Sequence, residues 1–429
     1  MGGPIALIVL IAAAFLVNAM LRRQNATRLQ TGPMLLLVGL AIGPMMLGLF
    51  ASDELGIVRP AMQVAVCWLG LLFGLRVRRA AVVRSPARSA VALLLETALT
   101  AVGIALGLRA CVPRLAVLPF RGLPGSVFDP TVAASLAIAL SIEPLPLLLG
   151  LLASPSAPGM IAWARDRLSA KGPLVDALGG LASRDSWVPL LGLGLLCAFF
   201  PSHGVAPAVV GAPLLLIAAE IGLSLVMVLT FLVLEGRDPD ADTETAWVVL
   251  IGTALIGAGI AGLLGLSGVT VAFVAGVAIA SITRGSEFLQ RVGDRTERPV
   301  VLLLMLMAGL SLGYSPSAWL AAVLVFGLRV LARIAVGLFL GPWLGVSPLM
   351  GLGMLGAGGP SLAIAVQIEL LFGGLVGEAA LWTAALLMIG GDLAGPRSLR
   401  LLLRARGEIP PAAPLAPVDS PSVQEAPAR

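Results

Sequence analysis

Histidine is almost absent from this chain: His203 is the only one, set in a loop rather than in a catalytic constellation. No Gly-rich phosphate loop appears either, which argues against direct use of ATP, and no metal cluster or catalytic pair stands in for it. An enzyme is therefore a poor fit, no cofactor is called for, and His203 reads as a solvated loop residue. Cysteine is nearly as scarce. Cys67, Cys111 and Cys197 lie in or beside apolar segments without a pairing pattern or metal-ligand spacing, so they read as packing residues. Charge is thin as well: 12% of the 429 residues are charged and 58% are hydrophobic, more apolar surface than any water-soluble domain of this size needs. Strand-like alternation is missing too. Runs such as Val300–Leu312 are apolar almost throughout, which excludes a membrane β-barrel. The pI of about 10.0 could suggest a nucleic-acid partner, but the basic residues sit in short loops between apolar runs, where membrane topology explains them.

What is present is a succession of apolar stretches, each long enough to cross about 30 Å of hydrocarbon as a helix. The expected fold is an all-α polytopic membrane protein of about 13 transmembrane helices in a lipid bilayer. The first stretch, residues 4–21, has no basic residue before it and Arg22, Arg23 and Arg28 after it, so it reads as a span with the N-terminus outside rather than a signal peptide. With an odd number of spans the C-terminus is cytoplasmic. Every loop Lys and Arg then falls inside except Arg59, Arg109, Arg114 and Arg121, while Arg184, Arg329 and Arg333 fall within spans. A short tail and no targeting signal suit the plasma (inner) membrane of a bacterium.

Taking the seventh span as a connector divides the chain into two six-helix units of opposite orientation, the common plan of secondary transporters. The expected division is residues 1–200 for the first repeat, 201–243 for the connecting helix and loop, 244–396 for the second repeat, and 397–429 for a short disordered cytoplasmic tail, Pro/Ala-rich after Gly407. The fifth span of each repeat contains a breaker. In the first it is Ser141-Ile142-Glu143-Pro144-Leu145-Pro146, and in the second Gly356-Ala357-Gly358-Gly359-Pro360-Ser361. Proline removes a donor and crowds the preceding turn, and paired glycines release helical constraint, so both spans are expected to unwind near mid-membrane and cross. Such backbone belongs around a polar cavity; a simple proline kink in each helix is the plainer alternative.

Ionisable residues inside spans complete the candidate site. Asp185 lies in the sixth span beside Arg184, Glu143 lies in the first break, and Arg333 lies in the eleventh span with Arg329 one turn earlier and able to snorkel. A carboxylate in a half-wet crevice can alternate between proton and cation, which is the chemistry of exchange. A structural Arg184–Asp185 or Arg333–Glu143 ion pair is the alternative. Glu96, Glu220 and Glu369 are weaker candidates that could face a domain interface or water, and Asp392 is expected near the cytoplasmic end, capping or pairing with Arg397.

Four stretches then resemble the monovalent cation:proton antiporters of the sodium/hydrogen exchanger type. Met34-Leu-Leu-Leu-Val-Gly-Leu-Ala-Ile-Gly-Pro44 resembles the family's second helix and Leu69-Gly-Leu-Leu-Phe-Gly-Leu75 its third. Gly268-Val-Thr-Val-Ala-Phe-Val-Ala-Gly276 is similar to the ninth, and Asp392-Leu-Ala-Gly-Pro396 with Leu-Leu-Leu-Arg-Ala-Arg-Gly-Glu408 to the usual ending. The resemblance implies two crossed broken helices in a moving core, a scaffold that forms a homodimer, and elevator-type exchange of Na⁺ or K⁺ for protons. It places the ion-binding aspartate at Asp185, an acidic residue of the first break at Glu143 and the basic residue of the eleventh span near Arg333. The chain departs from the family at the ion site: Arg184 stands where members carry Asp, Asn or Gln, or, with the register moved by one, Ser186 replaces the second carboxylate. A divergent protein of the same fold that moves another solute, or a non-transporting membrane partner, is the second expectation.

Overall fold

In hydrocarbon a backbone must satisfy its own N–H and C=O groups, and apolar runs of this length do so as helices. A computed structural model describes residues 31–48, 56, 58–77, 87–117, 130–141, 144–201, 212–235, 243–283 and 286–410, and among these every regular element is helical. The helices are α1 (Thr31–Ile42), α2 (Val58–Leu75), α3 (Ala87–Val117), α4 (Pro130–Ser141), α5 (Leu145–Ala153), α6 (Pro158–Leu168), α7 (Pro173–Ala182) and α8 (Trp187–Phe199). They are followed by α9 (Pro213–Glu235), α10 (Thr243–Leu264), α11 (Gly268–Ile282), α12 (Ser286–Ser311), α13 (Pro316–Trp343), a 3-10 turn (Met350–Met354), α14 (Gly359–Phe372) and α15 (Gly374–Ala405). Among the described residues 7 helical segments are long and apolar enough to span a membrane, and shorter apolar helices such as α11 and α14 lie among them. Leu214, Val233 and Leu263 on α9 and α10 point outward, as expected of lipid-facing positions. The chain is a multi-pass α-helical membrane protein; its expected first span, 4–21, lies outside the described residues.

The helices pair in the pattern that two exchangeable repeats would give. α1 packs along α12 and α2 along α11, the same pair of contacts when the repeats are exchanged; α3 packs on α13, an exchange onto itself. Glycines mark both equivalent crossings. A Cβ on Gly39 of α1 would stand 3.1 Å from the Gly309 Cα of α12, and one on Gly74 of α2 would stand 2.9 Å from the Gly276 Cα of α11. Small residues let the two backbones touch, the usual way for helices to associate where lipid supplies no hydrophobic drive.

Three expectations need correction. The interruption expected at 141–146 does separate two helices, α4 ending at Ser141 and α5 beginning at Leu145 with Pro144 and Pro146 at its start, but it is not the break that meets the second one. The break comes instead at Ser154-Pro155-Ser156-Ala157, between α5 and α6, because Pro155 and Pro158 withhold two donors three residues apart. The sixth span, expected to be continuous over 174–200, turns at Ser183–Ser186 between α7 and α8. Residues 397–405, expected within a disordered tail, continue α15, and Glu408 docks onto α7; residues 411–429 lie outside the described ones.

Candidate functional site

The two breaks meet. In the second, the chain leaves the 3-10 turn at Met354, runs non-helically through Leu355–Gly358 and re-enters a helix at Gly359, with Pro360 in the first turn. The Ala157 N–H of the first break donates to Gly356 O of the second at 2.9 Å. Half-helices α5 and the 3-10 turn thus end, and α6 and α14 begin, around one point.

Broken helices expose carbonyls that have no partner within the helix. Two arginines of α13 take them. Arg329 and Arg333 lie one turn apart on one face of that helix, and both are buried. Arg329 donates through Nη1 to Ala153 O and through Nη2 to Pro155 O at 2.9 Å, Gly356 O at 3.1 Å and Met354 O at 3.4 Å, so one guanidinium spans both breaks. Arg333 donates through Nη2 to Ser154 O and, at 3.3 Å, to Ser156 Oγ, and through Nη1 to Glu96 of α3. Positive charge placed at the carbonyl ends of half-helices complements their dipoles. Arg329 therefore does not snorkel, and the partner of Arg333 is Glu96.

Asp185 completes the arrangement. It lies in the turn between α7 and α8 with no exposed surface. Its Oδ2 accepts the backbone N–H of Ser156 at 2.6 Å and also the Ser156 hydroxyl, whereas Oδ1 has no hydrogen-bond partner among the described residues. Glu96, Arg333, Ser156 and Asp185 thus form one buried polar chain running from α3 to the turn before α8.

A cavity of about 890 Å³ adjoins this point. Its walls include Ala157 and Ser186, the chain neighbours of Ser156 and Asp185, and Gly358 of the second break. It is also lined by Asp392, Trp187 and the Arg76–Glu297 ion pair, whose closest approach is 2.5 Å.

Of the residues singled out from sequence, Asp185, Ser186, Arg333, Gly358, Gly359 and Pro360 gather at the breaks or the cavity, while Arg184 lies beside Asp185 in the turn between α7 and α8. Ser361 is fully buried in the first turn of α14, with no partner for its hydroxyl among the described residues. Pro144 lies one half-helix away from the break, Ser141 ends α4, and Glu143 lies outside the described residues. Sequence reading passed over Ser154, Ser156 and Arg329 as site residues and ranked Glu96 too low. The signal for the serines was there, as two prolines three apart enclosing serine in an apolar run.

Among solved structures, the chain is similar to the sodium proton antiporter MjNhaP1 from Methanocaldococcus jannaschii, with a TM-score of 0.62 and 16% identity over 94% of this chain and 98% of that one. The two share a fold. No protein-family model matches the sequence, and no curated protein does. In this fold the paired helix breaks, the α13 arginines and Asp185 are joined by buried contacts.

Proposed function

We propose that the chain is a secondary active transporter that exchanges a monovalent cation, Na⁺ or K⁺, for protons. The observation that carries this reading is Asp185: a fully buried carboxylate with one oxygen held by Ser156 and the other without a hydrogen-bond partner among the described residues, its chain neighbour Ser186 lining a cavity of about 890 Å³. An unoccupied carboxylate oxygen inside a membrane protein calls for a proton or a cation. The two occupants exclude one another on a single carboxylate, and mutual exclusion is what couples opposing fluxes. Backbone carbonyls and Ser186 supply further oxygens to a dehydrating cation, while Arg333 and Arg329 neutralise the half-helix ends and keep the breaks open.

Movement in this reading belongs to the unit of α5–α8 with α13–α15, sliding as an elevator against α1, α2 and α10–α12, which form a homodimer scaffold. The repeats are residues 1–200 and 244–396, joined through 201–243. The cavity, with Arg76, Arg167 and Arg298 around it, faces the cytoplasm of the cell whose plasma membrane holds the protein.

A second reading has its own observation. Arg329 lies within electrostatic reach of Asp185, and Arg184 is its chain neighbour, so a fixed cation already serves the carboxylate. In that case the protein moves another solute or acts as a non-transporting membrane partner. Proton flux from reconstituted vesicles under an imposed pH gradient, with Na⁺, K⁺ and Li⁺ added in turn, decides. Exchange is supported by cation-dependent collapse of the gradient that disappears in Asp185→Asn; no response to any of the three from folded protein favours the second reading.

A further inference from the structure

Glu220 is a buried carboxylate with no task in the scheme above. It sits about two turns into α9, is 8% exposed, and is enclosed by α8 and α11. Its Oε1 accepts the backbone N–H of Ser267, the residue capping α11, across a long 3.3 Å. Ser267 Oγ and Thr270 Oγ1 share a hydrogen bond of 2.8 Å, and Thr270 Oγ1 donates to Leu190 O of α8, also at 2.8 Å. Leu190 lies in the first turns of the helix that follows Asp185. A notch at Gly194 admits the carboxyl to α8: a Cβ there would stand 2.6 Å from Glu220 Oε2.

No basic side chain among the described residues pairs with this carboxylate. The helices packed on α9 are α8, α10 and α11. α11 has no ionisable side chain, α8 contributes Cys197, which lies within electrostatic reach of the carboxyl, and the remaining acids, Glu235 and Glu244, sit at the last residue of α9 and the second of α10. An ionised carboxylate with one long bond in an apolar shell is poorly supported. The neighbouring hydroxyls are already engaged with each other and with Leu190 O, which leaves few oxygens to surround a metal cation.

We infer that Glu220 is a proton-binding site separate from Asp185, and that its proton keeps α8 docked on α9 and α11. Losing that proton leaves a bare charge at the junction, draws in water and loosens the Thr270–Leu190 bond that holds α8 in place. Its influence on exchange rests on the transport reading; the proton site itself does not.

Infrared spectra of the purified protein, recorded across a pH series in buffer free of Na⁺ and K⁺, test the site directly. Wild type and Asp185→Asn are expected to show a C=O stretch from a protonated buried carboxyl that fades as pH rises, and Glu220→Gln to lack it. Glu220→Asp, which keeps a titrating group, should retain a shifted band and so separate loss of the proton site from misfolding. In a Cys67→Ala/Cys111→Ala background, maleimide labelling of Cys197 should accelerate as the band fades, and stay slow in Glu220→Gln after the same pH step. A band unchanged by Glu220→Gln, or one abolished by Na⁺ or K⁺ at fixed pH, overturns the proton site. Labelling of Cys197 that follows pH identically in wild type and Glu220→Gln overturns the docking role.

Discussion

Arg333 and Glu96, 237 positions apart in the chain, form an ion pair in which both side chains have no exposure at all. The pair fastens α13 to α3, and the other guanidinium nitrogen holds Ser154 O and Ser156 Oγ, so the position of the residue that binds Asp185 depends on it. Isolating one charge of such a pair costs more than the pair itself contributes. Glu96→Met should destabilise the protein by about 3–5 kcal/mol, because it leaves a buried guanidinium without its counter-charge. Glu96→Met/Arg333→Met should melt at a higher temperature than Glu96→Met alone. Thermal unfolding in detergent measures both, and simple additivity of the two single substitutions would show that the charges do not act as a pair.

Among the described residues, Ser156 alone holds the Asp185 carboxylate through a side-chain hydrogen bond. Ser156→Ala removes the hydroxyl but leaves the backbone N–H in place. A hydrogen bond to a charged group is worth about 1.5–3 kcal/mol, so the cation concentration for half-maximal exchange should rise roughly 10- to 100-fold at fixed pH. Ser154→Ala is the control, since the Ser154 hydroxyl donates to Leu151 O in its own turn. Equal behaviour of the two variants would remove Ser156 from the site.

The close crossing of α2 and α11 makes a prediction about packing alone. Gly74→Ala places a methyl group against the backbone of Phe273, Gly276 and Val277, where neither helix can retreat without separating from the other. Overpacking of this kind costs about 1–3 kcal/mol. Gly180→Ala, on α7 with open space around it, should be neutral or slightly stabilising because alanine is the better helix former. Melting temperatures of the two variants, measured side by side, check the contrast.

Much of this molecule is legible in the residues. Apolar runs define the helices, and the glycines and proline at 356–361 locate the second break, since there the breakers sit inside an otherwise unbroken apolar stretch. The first break was harder to read. Glu143-Pro144 looks like an interruption, yet proline in the first turn of a helix begins it, whereas Ser154–Pro158 resembles a loop until tertiary contacts show its carbonyls gathered by α13. Asp185 could be named because a carboxylate in a span is rare. The partner of Arg333 could not be: Glu96 and Arg333 meet only through the packing of α3 on α13, and no spacing in the chain records that contact. The serine that binds Asp185 was hidden for the same reason, 29 residues away across a chain reversal.

Glu408 extends the argument to the end of the described chain. Its Oε1 accepts the N–H of Leu174 at 2.8 Å and its Oε2 that of Val175 at 2.9 Å, while its own carbonyl accepts from Lys171 N at 3.0 Å. The carboxylate therefore occupies the N-terminus of α7, where free N–H groups and the helix dipole favour a negative charge. Gly172 makes room: its φ of +153° suits glycine, and a Cβ there would stand 2.6 Å from Glu408 Cγ. Glu408→Ala should destabilise by about 1 kcal/mol, the usual value of an N-terminal cap. Glu408→Gln, which keeps one acceptor oxygen and loses the charge, should fall between. Because α7 leads straight into the turn that carries Asp185, fraying at its start should also disorder that turn. Hydrogen exchange of the Leu174 and Val175 amides is the decisive measurement. Faster exchange in Glu408→Ala, spreading along α7 toward Ser183, makes the chain end part of the support of the site; protection unchanged from wild type reduces Glu408 to a surface contact.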